Sequence, residues 1–265
     1  CDGYQVINGV RIKCVAYSRG GHGTINICQS LMESCNDVLM QLGADLGKRK
    51  FLQYVNEFGF GKKTGIDLPG EATGGVFTND TMHAVELATS SFGQGQTVTM
   101  IQMAAAFSSV INGGNYYEPH VVKEVKSENG AVLESNDNAL VRRVITENTS
   151  KKLRKYLYKT VEEGTALPAK VAGYQIGGKT GTAEKHPTGR GNYLVSFIGF
   201  ATKDNPEVMI YVTIDEPHVA DQAHSTYATQ FSSEVLKEVL PVLGMYQDSS
   251  TKKADKTKAS DIKLP

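Results

Sequence analysis

The 265-residue chain lacks any run of eighteen apolar residues, so no segment reads as a membrane span, and no signal peptide opens it. It also lacks a charge bias. Lys plus Arg and Asp plus Glu number 28 each, which argues against a nucleic-acid partner and against an acidic membrane surface. Cysteine is absent after position 35: Cys1, Cys14, Cys28 and Cys35 crowd the start of the chain without metal-ligand spacing. An Asn8-Gly9 turn between Tyr4–Ile7 and Val10–Lys13 as strands brings Cys1 and Cys14 near one another and leaves a disulfide between them open. Cys28 and Cys35 read as small core residues. Because the chain starts at Cys1 and not at Met, it is expected to be a fragment whose targeting segment lies upstream.

What is present is a globular pattern, with 40% apolar residues and a length that suits one large domain or two small ones. After the hairpin, helical spacing covers 25–33, 37–46 and 48–58, the last with Phe51, Leu52, Val55 and Phe58 on one face. Another helix is expected around 82–88. Thr99 and Gln102 form a capping-box signal ahead of an apolar helix over 100–111. A hairpin follows, 120–126 and 131–134, and then a helix over 147–163 capped by Thr146. Three strand-like runs, 174–184, 193–201 and 208–215, precede a last helix over 226–243. The polar stretch 247–265 has no periodicity and reads as a solvated linker.

The segment Gly173–Thr180, GYQIGGKT, fits the phosphate-loop pattern G-x-x-x-x-G-K-[ST]. Such a loop must open into a helix whose free N–H groups hold the phosphates. Here residues 181–192 contain Pro187 and three glycines, and no helix can start. Val208–Asp215, which resembles a magnesium-binding strand, arrives one strand later with no helical crossover between, so the three runs are expected to form an antiparallel meander. Nucleotide binding is therefore set aside.

On a strand, Lys179 and Gly181 point to one side and Thr180 and Thr182 to the other. A lysine with two hydroxyls suits a carboxylate, Gly181 admits a ligand to the backbone, and the Thr182 N–H is available to an oxyanion. K-T-G occurs again at Lys63-Thr64-Gly65, in a loop after a glycine-stopped helix. Ser34 and Asn36, two apart, share no helix face and converge only if the chain turns between helices, which is where they fall. Ser127-Glu-Asn129 is a chance match to the same pattern in a hairpin turn.

Taken together, Ser34-Cys-Asn36, the 64–71 loop TGIDLPGE, Ser91-Phe-Gly-Gln-Gly95, Gly164-Thr-Ala166, Gly178-Lys-Thr-Gly-Thr-Ala183 and Ser196-Phe-Ile-Gly-Phe200 resemble the transpeptidase domain of class B penicillin-binding proteins, division and sporulation branch. The likeness runs over 1–246 in family order. It implies an α+β fold, a five-stranded antiparallel sheet flanked by helices with a helical subdomain, here truncated at its N-terminal side. It implies D,D-transpeptidation of D-alanyl-D-alanine stem peptides of peptidoglycan through a serine acyl-enzyme, which β-lactams also acylate. By match to the family, Ser34 relays a proton to the leaving amine, Asn36 positions the substrate amide and the base, and Lys179 supplies positive potential. Thr180 and Thr182 bind the terminal carboxylate beside Gly181, and the Thr182 N–H completes the oxyanion hole. No cofactor and no metal is implied. Implied partners are stem peptides, β-lactams and membrane proteins of division or sporulation, at the outer face of the cytoplasmic membrane.

The family's nucleophile and base come from S-x-x-K, several dozen residues before S-x-N. Only 33 residues precede Ser34, and they lack the motif. Literal matches at Ser249–Lys252 and Ser250–Lys253 follow K-T-G in the polar tail, out of order. The nucleophile is thus expected outside this chain, together with the first strands of the sheet, which leaves an unprotected sheet edge. Two rivals remain: a non-catalytic penicillin-recognising sensor or division scaffold, disfavoured by intact Ser34, Asn36, Lys179 and Thr182, and a β-lactamase, disfavoured by the 65–71 insertion and the chain length.

Overall fold

A computed structural model describes residues 1–136 and 140–247. The expected linker lies, Gln247 apart, outside the described residues, as do both tail matches to S-x-x-K. Strands β1 (Tyr4–Ile7) and β2 (Val10–Lys13) pair antiparallel around Asn8-Gly9, both at positive φ as a tight two-residue turn requires. Helix α1 (Ile27–Met32) starts at an Asn26–Gln29 capping box, and α2 (Asn36–Leu46) and α3 (Lys48–Glu57) follow. Helix α4 (Ala84–Ser91) begins two residues later than the pattern suggested, since His83 and Glu86 cap its first turn.

The Thr99–Gln102 capping box opens α5 (Met100–Ile111) as expected. Gln102 is fully buried, and its Nε2 donates to Lys62 O and Thr73 O at 2.5 and 2.9 Å, so one side chain closes a helix end and ties down two loops. Strand β3 (Asn115–Tyr117) was not foreseen: it pairs with β6 (Leu140–Arg143), across the hairpin of β4 (Glu124–Lys126) and β5 (Val132–Ser135). Thr146 Oγ1 accepts from Thr149 N at the start of α6 (Glu147–Glu163). Strands β7 (Ile176–Glu184), β8 (Tyr193–Ala201) and β9 (Val208–Asp215) form the antiparallel meander, in that order, and α7 (Thr226–Val242) closes the described chain.

The chain divides into two compact units. The first comprises Cys1–Ile25 and Cys35–Leu153, and the second comprises Asn26–Ser34 with the described residues from Arg154 on. In the first, Phe58 and Ile145 pack against buried Ala105, Tyr116 and Val144. In the second, α7 lies against the meander, and Val161, Ile176, Phe197, Leu236 and Leu240 form the core with Ile210 and Val212 packed on it. No helix of the described residues is long and apolar enough to cross a membrane.

The glycines that imitated a phosphate loop have a packing cause. A Cβ on Gly178 would collide with the buried ring of Phe197 and lie 2.6 Å from Ile198 O; one on Gly177 would strike the Phe200 ring at 2.5 Å. Glycine at both positions lets two phenylalanines of β8 lie on β7. Gly178→Ala should therefore destabilise the fold by about 1–3 kcal/mol, the usual cost of overpacking. Thermal unfolding checks it: Phe197→Leu, harmful alone, should recover part of the loss when combined with Gly178→Ala.

Candidate active site

Ser34 follows the last turn of α1 with its φ at 52°, a left-handed conformation that a serine adopts at a cost of about 1–2 kcal/mol. Its N–H bonds back to Leu31 O at 3.4 Å. The end of α1 is held by the segment Gly164-Thr-Ala166 after α6: Thr165 N donates to Met32 O at 3.0 Å, and a Cβ on Gly164 would stand 2.8 Å from the same oxygen. Gly164 is therefore required by the close approach of Met32, and Thr165 is placed beside β7, where its Oγ1 lies 3.3 Å from Thr180 Oγ1.

Lys179 Nζ donates to Ser34 Oγ at 2.6 Å and to Thr180 O at 3.1 Å, with Thr180 Oγ1 at 3.4 Å. The Cβ atoms of Lys179 and Thr180 alternate as strand geometry dictates, yet the lysine stem curls round so that its ammonium and the Thr180 hydroxyl meet. Burial pushes the Lys179 ammonium down from its ordinary 10.5 to about 8. Gly181 pairs with Ser196, and a Cβ there would collide with Ser196 Oγ, so glycine keeps the strand next to the site free of bulk. Thr182 is exposed. The structure thus brings Ser34, Lys179, Thr180 and, unforeseen as a site residue, Thr165 into one hydrogen-bonded group.

Asn36 belongs to the other unit, where it opens α2 and its Nδ2 donates to Lys13 O at 3.2 Å. Beside it, Asp37 is buried and accepts from Asp2 N, Gln5 Nε2 and Gln41 Nε2, which fastens the hairpin to α2. Burial alone would raise its pKa, but these hydrogen bonds win and hold the carboxyl below the usual range.

The lookalike motifs resolve into structure. Thr64 of the first K-T-G donates its N–H and Oγ1 to Glu71 at 2.6 Å each, closing the 64–71 loop, and Asp67 receives Val121 N and Val122 N at 2.8 Å. Ser127 and Asn129 bond one another and Ala131 in the β4–β5 turn. All four cysteines are free, so the disulfide left open between Cys1 and Cys14 is not formed. Cys35 is a buried residue as expected, while Cys28 is only half-buried, its Sγ 3.9 Å from Met32 Sδ. Cys35 stands in a cluster that linear spacing did not reveal, because Cys1, Cys14, His22 and Cys35 are joined by the hairpin and a glycine-rich loop.

The chain that holds this lysine–serine pair belongs to the penicillin-binding protein transpeptidase domain family, whose model matches residues 1–239. Among curated relatives it is 41% identical to Stage V sporulation protein D of Bacillus subtilis over 247 residues, 92% of this chain and 38% of that protein. It is 29% identical to the probable peptidoglycan D,D-transpeptidase PenA of Neisseria flavescens, covering 91% of this chain and 58% of that one. Penicillin-binding protein 3 of Mycobacterium tuberculosis, solved with ampicillin, superposes with a TM-score of 0.83 at 26% identity over 93% of this chain and 57% of that one. The fold is therefore the α+β fold of these transpeptidase domains.

A lysine whose pKa is lower folded than unfolded releases its proton earlier in the native state, so the unfolded chain binds more protons between about pH 8 and 10.5 and stability rises across that window. Relative to Lys179→Met, which has nothing to titrate, the wild type should gain stability from pH 8 to 10.5 in urea titrations. A flat difference between the two would contradict the buried ammonium.

Proposed function

We propose that the longer protein containing this chain is a peptidoglycan D,D-transpeptidase acting through a serine acyl-enzyme, that β-lactams acylate the same serine, and that residues 1–246 are the greater part of its transpeptidase domain. The observation that carries this reading is the 2.6 Å bond from Lys179 Nζ to Ser34 Oγ. With its pKa near 8, Lys179 is charged at neutral pH and only donates, so Ser34 Oγ accepts and its own proton is free to be given away.

In the reaction, a serine oxygen attacks the carbonyl carbon of the penultimate D-alanine, and the C–N bond to the last D-alanine breaks. The attacking serine gives its proton to the base, the departing nitrogen takes a proton that Ser34 supplies and Lys179 makes easier to release, and Ser34 recovers its proton from the base. An amine of a second stem peptide then attacks the ester and frees the serine. Lys179, Thr180 and Thr182 suit the terminal carboxylate of the donor, and the Thr182 N–H suits the oxyanion that forms during attack. Asn36 positions the substrate amide and the base. The nucleophile and base belong to an S-x-x-K segment upstream of Cys1, and membrane anchoring at the outer face, with division or sporulation proteins as neighbours, belongs to the longer protein as well. The similarity to Stage V sporulation protein D favours sporulation.

The full-length protein should form a covalent adduct with a fluorescent penicillin, while residues 1–265 alone should form none. Ser34→Ala or Lys179→Ala in the full-length protein should slow acylation by about 10²-fold or more, the usual worth of a positioned proton donor. Acylation at the wild-type rate in both variants would refute these roles. Acylation without cross-linking of stem peptides would instead support a β-lactam sensor or scaffold.

A further inference from the structure

In the first unit, Cys1, Cys14, His22 and Cys35 bring four soft donor atoms within 4.8 Å of one another. His22 Nδ1 lies 3.5 Å from Cys1 Sγ and 3.6 Å from Cys14 Sγ, and Cys14 Sγ lies 3.7 Å from Cys35 Sγ. A tetrahedral ion about 2.3 Å from sulfur and about 2.0 Å from nitrogen sets its sulfurs about 3.8 Å apart and each sulfur about 3.5 Å from the nitrogen. Three of the six donor separations already have these values.

The local chain is shaped to deliver the donors. Cys14 ends the hairpin, its N–H bonded to Gly3 O at 2.7 Å, which returns it to the side of Cys1. His22 sits in a loop where Gly20, Gly21 and Gly23 all have positive φ. A Cβ on Gly21 would stand 2.7 Å from Gly3 N, so the loop can lie on the chain beside Cys1 only with glycine there. The loop is pinned by Gly23 N donating to Cys1 O at 3.1 Å and Gly21 N to Ala16 O at 2.9 Å. His22 Nε2 is buried without a hydrogen-bond partner, so the ring is oriented by the sulfurs at Nδ1. Cys14, Ala16 and Cys35 are buried, with Ile25 and Val38 packed on them, which shields that side of the cluster, while Cys1 and His22 are half-buried.

We propose that Cys1, Cys14, His22 and Cys35 bind one zinc ion as a closed, structural Cys3His site. The donor set is the evidence for the metal: three thiolates and an imidazole in near-tetrahedral spacing select zinc over the oxygen-seeking magnesium and calcium. On binding, three thiol protons go to solvent, His22 gives the lone pair of Nδ1 and keeps its proton on Nε2, and no electron is transferred. Four protein ligands leave no position for water, so the ion does no chemistry itself. Its position gives it a purpose. Cys35 is the middle residue of Ser34-Cys-Asn36 and the residue from which α2 starts, so the ion fixes the backbone between the two polar residues of that motif.

The inference does not rest on the transpeptidase reading, and its readout is metal content. Full-length protein purified without chelator should carry about one equivalent of zinc by elemental analysis. Cobalt(II) exchanged for it should give the intense visible bands of a tetrahedral thiolate site. Cys14→Ser and His22→Ala should each lower the zinc content and alter those bands, whereas Cys28→Ser, whose sulfur lies in α1 outside the cluster, should change neither. Wild-type protein that is folded by circular dichroism yet takes up neither zinc nor cobalt would overturn the proposal, as would Cys14→Ser and His22→Ala variants that keep full zinc and the wild-type cobalt spectrum.

Discussion

The bond between Lys179 and Ser34 closes a loop of 145 residues, and much of the second unit is arranged to make it. A lysine taken out of water must keep its donors satisfied or lose its charge; here a serine hydroxyl and a backbone carbonyl receive them. Satisfying that ammonium requires Ser34 at a left-handed φ, α1 ending at Met32, and Thr165 holding that end. It requires β7 to run at the right height, which the pairing of Lys179 with Ile198 sets. The core of β8 and α7 is the support against which that height is fixed.

Much of this was legible in the sequence because its signals are local. The Asn8-Gly9 turn, the Thr99–Gln102 box, Thr146 as a cap, and the three runs of the meander each depend on neighbours within a few residues, and each falls where the pattern placed it. The pairing of β3 with β6 did not show, since the two segments are short, separated by another hairpin, and held partly by Arg142 stacked 4.0 Å from the Tyr116 ring. Nothing in three residues such as Asn115–Tyr117 announces a partner beyond an intervening turn.

The site divides along the same line. Ser34, Lys179 and Thr180 were identified through motifs, and their meeting depends on a fold that the motifs only imply. Thr165 lay inside a quoted motif without a role, and its contact with Thr180 becomes visible only when α6 has turned back on β7. His22 was missed altogether, because a histidine among glycines at irregular distances from cysteines carries no ligand spacing. The signal that could have found it was the run Gly20-Gly21-His22-Gly23, whose flexibility serves close approach. Conversely, Gly177 and Gly178 were conspicuous for a reason that had nothing to do with ligands: they make room for phenylalanine rings.

The nine residues Asn26–Ser34 are made early in the chain but belong to the unit assembled from Arg154 onward. During synthesis, the acceptor of Thr165 N and the partner of Lys179 must therefore wait for more than a hundred residues before those groups exist. The hairpin on one side of this segment, α2 on the other, and the cysteine cluster that draws on both sides can form meanwhile from chain already present. Formation of the serine–lysine pair is thus a late event governed by long-range closure, whose entropic cost grows only slowly with length but must be met before the contact returns anything. A nascent chain stalled at Leu153 would carry every residue of the first unit and an α1 whose partners are not yet made.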